Sequence, residues 1–259
     1  MRVFTLLLMA LLLSCKNNQM DKKGIHSGII PITTSSKEAK KHFEKAQFLV
    51  QNGIDGNPTE SYKKALEYDS SFVRMHNFIS IYAPDDTLKK HHHELAKKFR
   101  HLASKEEQLL IDATEFRINN PDDMYEKKLF ELAEACPNDK YLFHTICFLL
   151  FRKNPALAIE AGKKSVVLDS NYGSGYNILG YAYLNNKELE KAKSAFDNFI
   201  RCEPENGNPY DSKADVMLQL GNYKEALTLK QKAYELNPTF DWIPEEIKEI
   251  KATIDTLEN

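Results

Sequence analysis

Two consecutive blocks of 34 residues, 173–206 and 207–240, share one pattern of apolar, small and turn-forming residues. In the first block, large apolar residues recur at helical spacing on both sides of a polar turn: Tyr176, Leu179, Tyr183, Phe196 and Phe199. Apolar residues at intervals of three and four predict amphipathic helices. Pro204 ends the block because proline lacks an N–H and cannot continue a helix. Each block therefore predicts two helices joined by a short turn.

The first block resembles a tetratricopeptide repeat, a 34-residue helix–turn–helix unit with the signature W-x2-L-G-x2-Y, A-x3-F, A, P. Seven of the eight signature positions match when Tyr176 is accepted for tryptophan, and the exception is Phe199, where the family usually has alanine. The second block matches at Tyr210, Ala214, Ala226, Ala233 and Pro238. The resemblance covers residues 35–240 and implies an all-α fold, a right-handed α-solenoid of stacked helix pairs.

We place about six repeats in this array. Their approximate ranges are 39–72, 73–105, 106–139, 140–172, 173–206 and 207–240. One position holds a small residue in every repeat, as expected where two paired helices come closest: Ala46, Ser80, Ala113, Cys147, Gly180 and Ala214. Residues 241–259 carry one apolar stripe opposite charged residues, which predicts a C-terminal capping helix over the last exposed face of the array.

The N-terminus predicts a signal peptide over residues 1–14. Arg2 precedes an apolar run that is shorter than the about 20 residues a membrane-spanning helix needs. The run ends at Ser14 and Cys15, which resembles the bacterial lipobox. This resemblance implies lipidation at Cys15 and a tetratricopeptide repeat lipoprotein of Gram-negative bacteria; the alternative is a cleaved secretory signal that contains a cysteine by coincidence. The polar residues 15–34 predict a flexible tether.

An apolar island interrupts that polar stretch at residues 28–32. One possibility is that these side chains are buried against the first repeat. The alternative is that the island is part of the flexible tether, like the residues on either side of it.

Composition and motifs exclude several classes of function. The formal net charge of −2, with no long basic block, argues against nucleic acid as the partner. The sequence HHHE at 91–94 invites a metal hypothesis. However, neighbouring positions on a helix point about 100° apart, and Lys97 stands where the H-E-x-x-H motif needs its second histidine. We expect a solvated helix surface there, with no metal and no cofactor.

The sequence also lacks the motifs of a catalytic site. It contains no G-x-S-x-G, no phosphate-binding glycine loop and no H-E-x-x-H. We therefore predict a protein that is not an enzyme and has no small-molecule substrate. The array contains the thiols of Cys136, Cys147 and Cys202. They show no C-x-x-C spacing, and we expect them to be small buried side chains. In an exported protein, a disulfide between two of them is the alternative.

The family resemblance implies that the first helix of each repeat lines a concave groove for an extended peptide or a partner helix. At the positions that line this groove in the family, the chain has Asn77, Ile81, Leu110, Thr114, Arg117, Tyr141, His144, Phe148, Asn177, Tyr181, Asp211 and Asp215. Aromatic residues in the middle and acids at one end would suit a partly apolar, partly basic peptide. The alternative is that Phe148 and Tyr181 are buried between units.

The resulting hypothesis is a membrane-anchored scaffold or adaptor that binds a peptide or protein partner in the groove. It would be lipid-anchored in the bacterial cell envelope, at the outer membrane, on its periplasmic or surface face. The alternative is an accessory subunit that packs permanently into an envelope assembly or an uptake complex.

Overall fold

The computed structural model describes residues 28–52, 58–119 and 124–258. These residues form α-helices and one 3-10 turn, Arg100–Leu102, and none of them forms a strand. The helices are α1 Lys37–Asn52, α2 Pro58–Tyr68, α3 Val73–Tyr82, α4 Asp86–Lys98, α5 Lys105–Asn119, α6 Met124–Ala135, α7 Lys140–Leu150, α8 Pro155–Leu168, α9 Gly173–Asn185, α10 Leu189–Cys202, α11 Gly207–Gln219, α12 Tyr223–Leu236 and α13 Ile243–Glu258. The prediction of an all-α fold is confirmed.

The first twelve helices pack as six consecutive hairpins, α1 with α2 through α11 with α12. Local capping explains where several of them begin. The Asn154 side chain accepts the N–H of Leu157 at the start of α8, where Pro155 takes the first helical position. Asp85 accepts the N–H of Leu88 in the same way at the start of α4.

The small residues that the sequence predicts between paired helices are withdrawn from solvent. All six are buried: Ala46, Ser80, Ala113, Cys147, Gly180 and Ala214. In the fifth hairpin, a Cβ atom added to Gly180 would lie 2.5 Å from Cε1 of Phe196. The large residue on one helix therefore fills the space that the small residue on the other helix leaves open.

Helix α1 contacts more of the array than the first helix of a regular stack would. Besides its hairpin partner, α1 contacts α3 and α9. Across the same inner side, the Tyr82 hydroxyl lies 2.8 Å from the Thr145 hydroxyl and joins α3 to α7. Contacts across the inner side thus join α1 to α3 and α9, and α3 to α7.

Helix α13 covers the other end of the array. It buries Ile243 and Ile250, and Ile243 packs with Phe240 and Ala233. No helix in the described ranges has both the length and the apolar character that crossing a bilayer requires.

Candidate functional site

Residues 28–34 form a non-helical segment that packs on the array. At the start of α7, the main-chain N–H of Asn138 donates to the Gly28 carbonyl oxygen over 2.8 Å. The N–H of Ile30 donates to Oδ2 of Asp139 over 3.0 Å. This part of the predicted tether is therefore bound to the array, while the rest of the tether, the signal peptide and the lipidation residue Cys15 lie outside the described residues.

The same segment continues across the start of α5 and the turn between α2 and α3. The N–H of Thr33 donates to Oε1 of Glu107 over 3.1 Å, and the Thr34 hydroxyl donates to Oδ2 of Asp69 over 2.7 Å. Burial works against the ionised form of Asp69, but hydrogen bonds from Thr34 and Ser71 outweigh it and lower the pKa of this carboxyl. Since α7, α5 and this turn are reached within five residues, the segment runs across the array rather than along one helix.

Each of these three carboxylates divides its oxygens between the segment and its own surroundings, which are a helix start for Asp139 and Glu107 and the turn between α2 and α3 for Asp69. Oδ1 of Asp139 accepts two main-chain N–H groups of α7. Oε2 of Glu107 accepts the N–H of Ser104 in a capping box. Oδ1 of Asp69 accepts the N–H of Ser71. We call Asp69, Glu107 and Asp139 the carboxylate row.

One side chain anchors the segment. Ile30 is 3% exposed, whereas its neighbour Ile29 is 46% exposed. Three first helices supply the apolar walls around Ile30, with Ile81 from α3, Leu110 from α5 and Leu142 from α7. Only about 20 Å³ of cavity remains beside it. The Ile30 pocket, as we call these walls, is therefore almost filled.

A larger cleft of about 430 Å³ opens beside the segment. It lies between α1, the start of α7 and the turn before α9, and its walls are Ile32, Glu44, Gln47, Phe48, Lys140, Tyr141, Asp169, Asn171, Tyr172, Gly173 and Glu203. Lys140 Nζ lies 2.5 Å from Oδ2 of Asp169 and less than 5 Å from the ring centroids of Tyr141 and Tyr172. Phe48 is 57% exposed at this cleft.

Three predicted groove residues lie on α3 and α5. Asn77 is fully buried, and neither polar atom of its side chain has a hydrogen-bond partner among the described residues. The buried Thr114 hydroxyl donates to a main-chain carbonyl of its own helix, and the partly exposed Arg117 donates to the Ile81 carbonyl oxygen. The hydrogen bonds described for Thr114 and Arg117 are therefore within the array.

The predicted residues of α7 differ in exposure. Tyr141 is half-buried and lines the cleft. His144 is buried, and burial lowers its pKa to about 4, so it is neutral at pH 7. Phe148 is 36% exposed and its ring packs against those of Tyr82 and Phe151.

The predicted residues of α9 and α11 belong to one internal polar network. The Tyr181 hydroxyl donates to Oδ2 of Asp215 over 3.0 Å. Lys230 of α12, almost fully buried, lies 2.7 Å from Asp211 and 3.1 Å from Asp215. The two acids that were expected to attract a basic peptide therefore neutralise a lysine of the same chain.

Asn177 and the last helix complete this network. The Ser212 hydroxyl donates to the Asn177 side-chain oxygen over 3.1 Å. Glu246 of α13 supplies a third carboxylate, 2.7 Å from Lys230 Nζ. Burial opposes the charge of Lys230, but the carboxylates outweigh it and raise its pKa.

The histidine run also differs from the expected solvated surface. His91 is exposed, but His92 is half-buried and its Nδ1 lies 2.9 Å from Nδ1 of His76. His93 is buried, with Nε2 2.6 Å from Glu115. Within the described ranges, no three His, Cys, Asp or Glu side chains are grouped so that they could hold a metal ion.

The cysteines of the array are free thiols in the described structure. Cys136 and Cys147 are buried and Cys202 is partly exposed. Burial raises the pKa of the Cys136 thiol to about 12 and also raises that of Cys147. Both are therefore protonated at neutral pH, which is unfavourable for a nucleophile.

Sequence reasoning missed the carboxylate row and the Ile30 pocket. The signals were present as the apolar island at residues 28–32, the capping box of Ser104 with Glu107, and an acid before α3 and α7. Each had a sufficient local explanation, so nothing in the sequence linked them to one another.

Residues 174–206 match the sequence model of the family described as Tetratricopeptide repeat. Among curated proteins, the chain is 31% identical over 93 residues to the Cell division cycle protein 27 homolog of Caenorhabditis elegans, which covers 36% of this chain and 12% of that protein. It is 29% identical over 92 residues to Anaphase-promoting complex subunit 3 of Schizosaccharomyces pombe, and the match covers 36% of this chain and 14% of that protein. The chain thus spans only a small part of these relatives.

Among solved structures, yeast Tom70 is similar with a TM-score of 0.56 and 17% identity, over 82% of this chain and 49% of that chain. YrrB, a TPR protein with an unusual peptide-binding site, is similar with a TM-score of 0.49 and 16% identity, over 72% of this chain and 97% of that chain. The similarity to Tom70 concerns the fold alone. Residues 174–206 thus match a tetratricopeptide repeat, and the described helices share the fold of Tom70.

Proposed function

We propose that this chain is a protein–protein interaction scaffold, and not an enzyme, that binds a peptide segment of a partner where its first helices begin. The observation that supports it most is the binding of residues 28–34. Three hairpins hold a non-helical polypeptide through main-chain N–H groups and one buried side chain. Main-chain hydrogen bonds combined with a side-chain pocket are a common basis of peptide recognition.

We place the partner site at the N-terminal half of the array. Of the predicted groove residues, Tyr141 and Phe148 are accessible there, and Tyr141 shares the 430 Å³ cleft with the exposed Phe48. The predicted residues of α9 and α11 serve the Lys230 network instead. The acidic walls Glu44 and Glu203, together with the aromatic ones, suit a segment that is partly apolar and partly basic.

A photo-crosslinking amino acid at position 48 tests this placement. In cells that express the full chain, position 48 should capture a specific partner, because its side chain is 57% exposed at the cleft. Position 167 is the matched control, since Val167 on α8 is 77% exposed and does not line the cleft. The absence of a distinct adduct at position 48 would contradict the scaffold.

The proposal includes a lipid anchor at Cys15, which would hold the scaffold in the bacterial cell envelope. Several acyl chains on one cysteine anchor stably, whereas one chain alone binds membranes only marginally. Cys15→Ala should therefore move the protein from the membrane fraction to the soluble fraction, while Cys202→Ala should leave it on membranes. If Cys15→Ala stays on membranes, the anchor is not at that residue.

An adaptor and a permanently packed subunit should differ in what they expose when alone. A permanent subunit should expose one large apolar patch. The exposed large apolar residues of the described chain belong to ten different helices, turns or segments: Ile29, Phe48, Tyr68, Leu88, Leu102, Phe148, Val167, Tyr234, Trp242 and Leu257.

A further inference from the structure

We propose that residues 28–34 are a built-in competitor, and that a partner's segment binds by displacing them from the carboxylate row and the Ile30 pocket. This inference rests on the proposed function and names the chemistry of its partner. The partner segment is extended, places isoleucine or valine in the Ile30 pocket, and offers a main-chain N–H there and another three residues later.

The contacts of the bound segment give this specificity. Asp139 accepts the N–H of Ile30 and Glu107 accepts the N–H of Thr33, and every residue except proline has such a donor. The carboxylates therefore recognise the backbone without regard to most side chains. Selectivity comes from the Ile30 pocket, which one branched aliphatic side chain almost fills and whose walls also include Gln47, Arg74 and Thr145.

The way the carboxylates share their oxygens makes the segment displaceable. At α5 and α7, the oxygen that caps the helix is not the oxygen that binds the segment. When the segment leaves, these caps remain, so we expect the array to stay folded. Within the segment, Gly28 and Ile30 are buried, whereas Ile29 is already 46% exposed.

The cleft gives a partner more surface than the internal segment uses. The next acid along the array, Asp169, repeats the arrangement of the row: Oδ1 accepts the N–H of Asn171, and Oδ2 accepts Lys140. Ile32 of the segment forms one wall of the 430 Å³ cleft. A longer partner segment would therefore occupy the row and continue into the cleft beside Phe48, which residues 28–34 leave 57% exposed.

Gly28 offers a way to weaken the internal segment without changing the pocket. Its φ of +66° lies in the left-handed region, and an added Cβ would lie 2.8 Å from Nδ2 of Asn138. Gly28→Val should therefore weaken binding of the segment through a clash outside the Ile30 pocket. Ile30→Asp should weaken it by replacing the side chain that occupies the pocket.

The experiment measures binding of a fluorescent peptide with the sequence Gly-Ile-Ile-Pro-Ile-Thr-Thr to the full chain by anisotropy. A tethered competitor acts at about millimolar effective concentration, so the wild type should bind the peptide weakly. Gly28→Val and Ile30→Asp should each bind it at least about tenfold more tightly, since removing the competitor raises the competent fraction. A peptide with aspartate in place of its second isoleucine should not bind.

A second set of variants tests the carboxylate row. In the Ile30→Asp background, Asp139→Asn with Glu107→Gln keeps an oxygen for each helix cap but replaces the other oxygen by an amide donor. We expect at least about tenfold weaker peptide binding. Glu235→Gln, an exposed carboxylate on α12, is the matched control and should change nothing.

Three results would overturn the inference. One is no peptide binding by Gly28→Val or Ile30→Asp proteins that keep the wild-type helical circular dichroism and melting temperature. Another is equal binding with and without the Asp139→Asn and Glu107→Gln changes. The third is capture of the same partner at position 48 in wild type and in the Asp139→Asn, Glu107→Gln protein, in which case the scaffold stands and displacement is wrong. If the peptide binds as expected but no partner is captured, the site is right and the scaffold proposal fails.

Discussion

Gly180 lies where α9 and α10 come closest, and Phe196 occupies the space that a side chain at Gly180 would need. Phe196 is fully buried, so its ring cannot swing into solvent to make room. The fit between these two residues sets the separation of the helices in the fifth hairpin.

We expect Gly180→Ala to destabilise the protein. Overpacking a core costs about 1–3 kcal/mol, and alanine regains about 1 kcal/mol of helix propensity. The free energy of unfolding, from urea denaturation, should fall by up to about 2 kcal/mol. Adding Phe196→Leu should recover part of that loss, because leucine leaves room for the methyl group. An increase in stability with Gly180→Ala alone would contradict this account.

At Lys230, charge rather than shape decides the packing. Its side chain is 2% exposed and lies close to carboxylates from α11 and α13. Without the lysine, Asp211, Asp215 and Glu246 would face one another with no cation between them.

Lys230→Ala should therefore lower the free energy of unfolding by about 2–3 kcal/mol. A fully buried pair that loses one partner costs about 3–5 kcal/mol, and the partial exposure of Asp215 and Glu246 reduces this. Lys232→Ala removes an exposed lysine of the same helix and should change stability by less than about 0.5 kcal/mol. Equal effects of the two substitutions would show that the network is not stabilising.

Helices α3 and α4 are joined by a pair of histidines. Nε2 of His76 lies 3.1 Å from the Ser70 carbonyl oxygen, which can only accept, so this nitrogen carries the proton. Neutral His76 then accepts at Nδ1 the hydrogen bond that His92 donates from its own Nδ1. Protonating His76 would place two N–H groups against each other and break the contact between the helices.

Acid should therefore destabilise the hairpin of α3 and α4. Burial, then the charges of His76 and His91, lower the pKa of His92 from 6.5 to about 4, and burial lowers that of His76. The unfolded chain binds protons near pH 6.5 and the folded chain only near pH 4, so stability falls as the pH drops across that window. His144 acts in the same direction.

Melting temperatures at pH 7 and pH 5 measure this effect. His92→Gln should show a smaller drop than the wild type, because one of the buried titrating groups is gone. The exposed His91→Gln should show a drop close to that of the wild type. A wild-type melting temperature that is the same at both pH values would contradict the hydrogen bond between neutral His76 and His92.

For the whole molecule, the last hairpin of the array is covered by a helix. At this C-terminal end, α13 covers Phe240 and Ala233 with Ile243 and contributes Glu246 to the Lys230 network. Residues 28–34 are not such a cover, since they run across the array from the start of α7 past the start of α5 to the turn between α2 and α3. A stacked array needs a cover at its end because each unit buries its apolar face on a neighbour.

Removing residues 241–259 should lower the melting temperature by at least about 5 °C and cause self-association, because the last hairpin would expose its apolar face. Light scattering and thermal denaturation measure the two effects. Leu257→Ser, at a position of α13 that is 67% exposed, should change neither. A truncated protein that stays monomeric and equally stable would show that α13 is not a cover.

Much of the fold could be predicted from the sequence because its signals are local. Apolar spacing within one helix, a small residue at each closest approach, and caps such as Asn154 with Pro155 all lie within a few residues of one another. The candidate site was predicted less well. Phe148 is 36% exposed and Tyr141 lines a cleft, but Asp211 and Asp215 serve an internal lysine, and the histidine run is largely withdrawn from solvent.

The sequence by itself determined that helices pair, and capping residues such as Asn154 marked where several of them begin, because these follow from periodicity and capping along the chain. Only the tertiary structure decided what occupies the inner side. Ile30 and Asp139 are 109 positions apart, and the array that brings them together curls enough for α1 to contact α3 and α9 and for Tyr82 of α3 to meet Thr145 of α7. That curl is the sum of many small packing angles between helices, and no short stretch of sequence contains it.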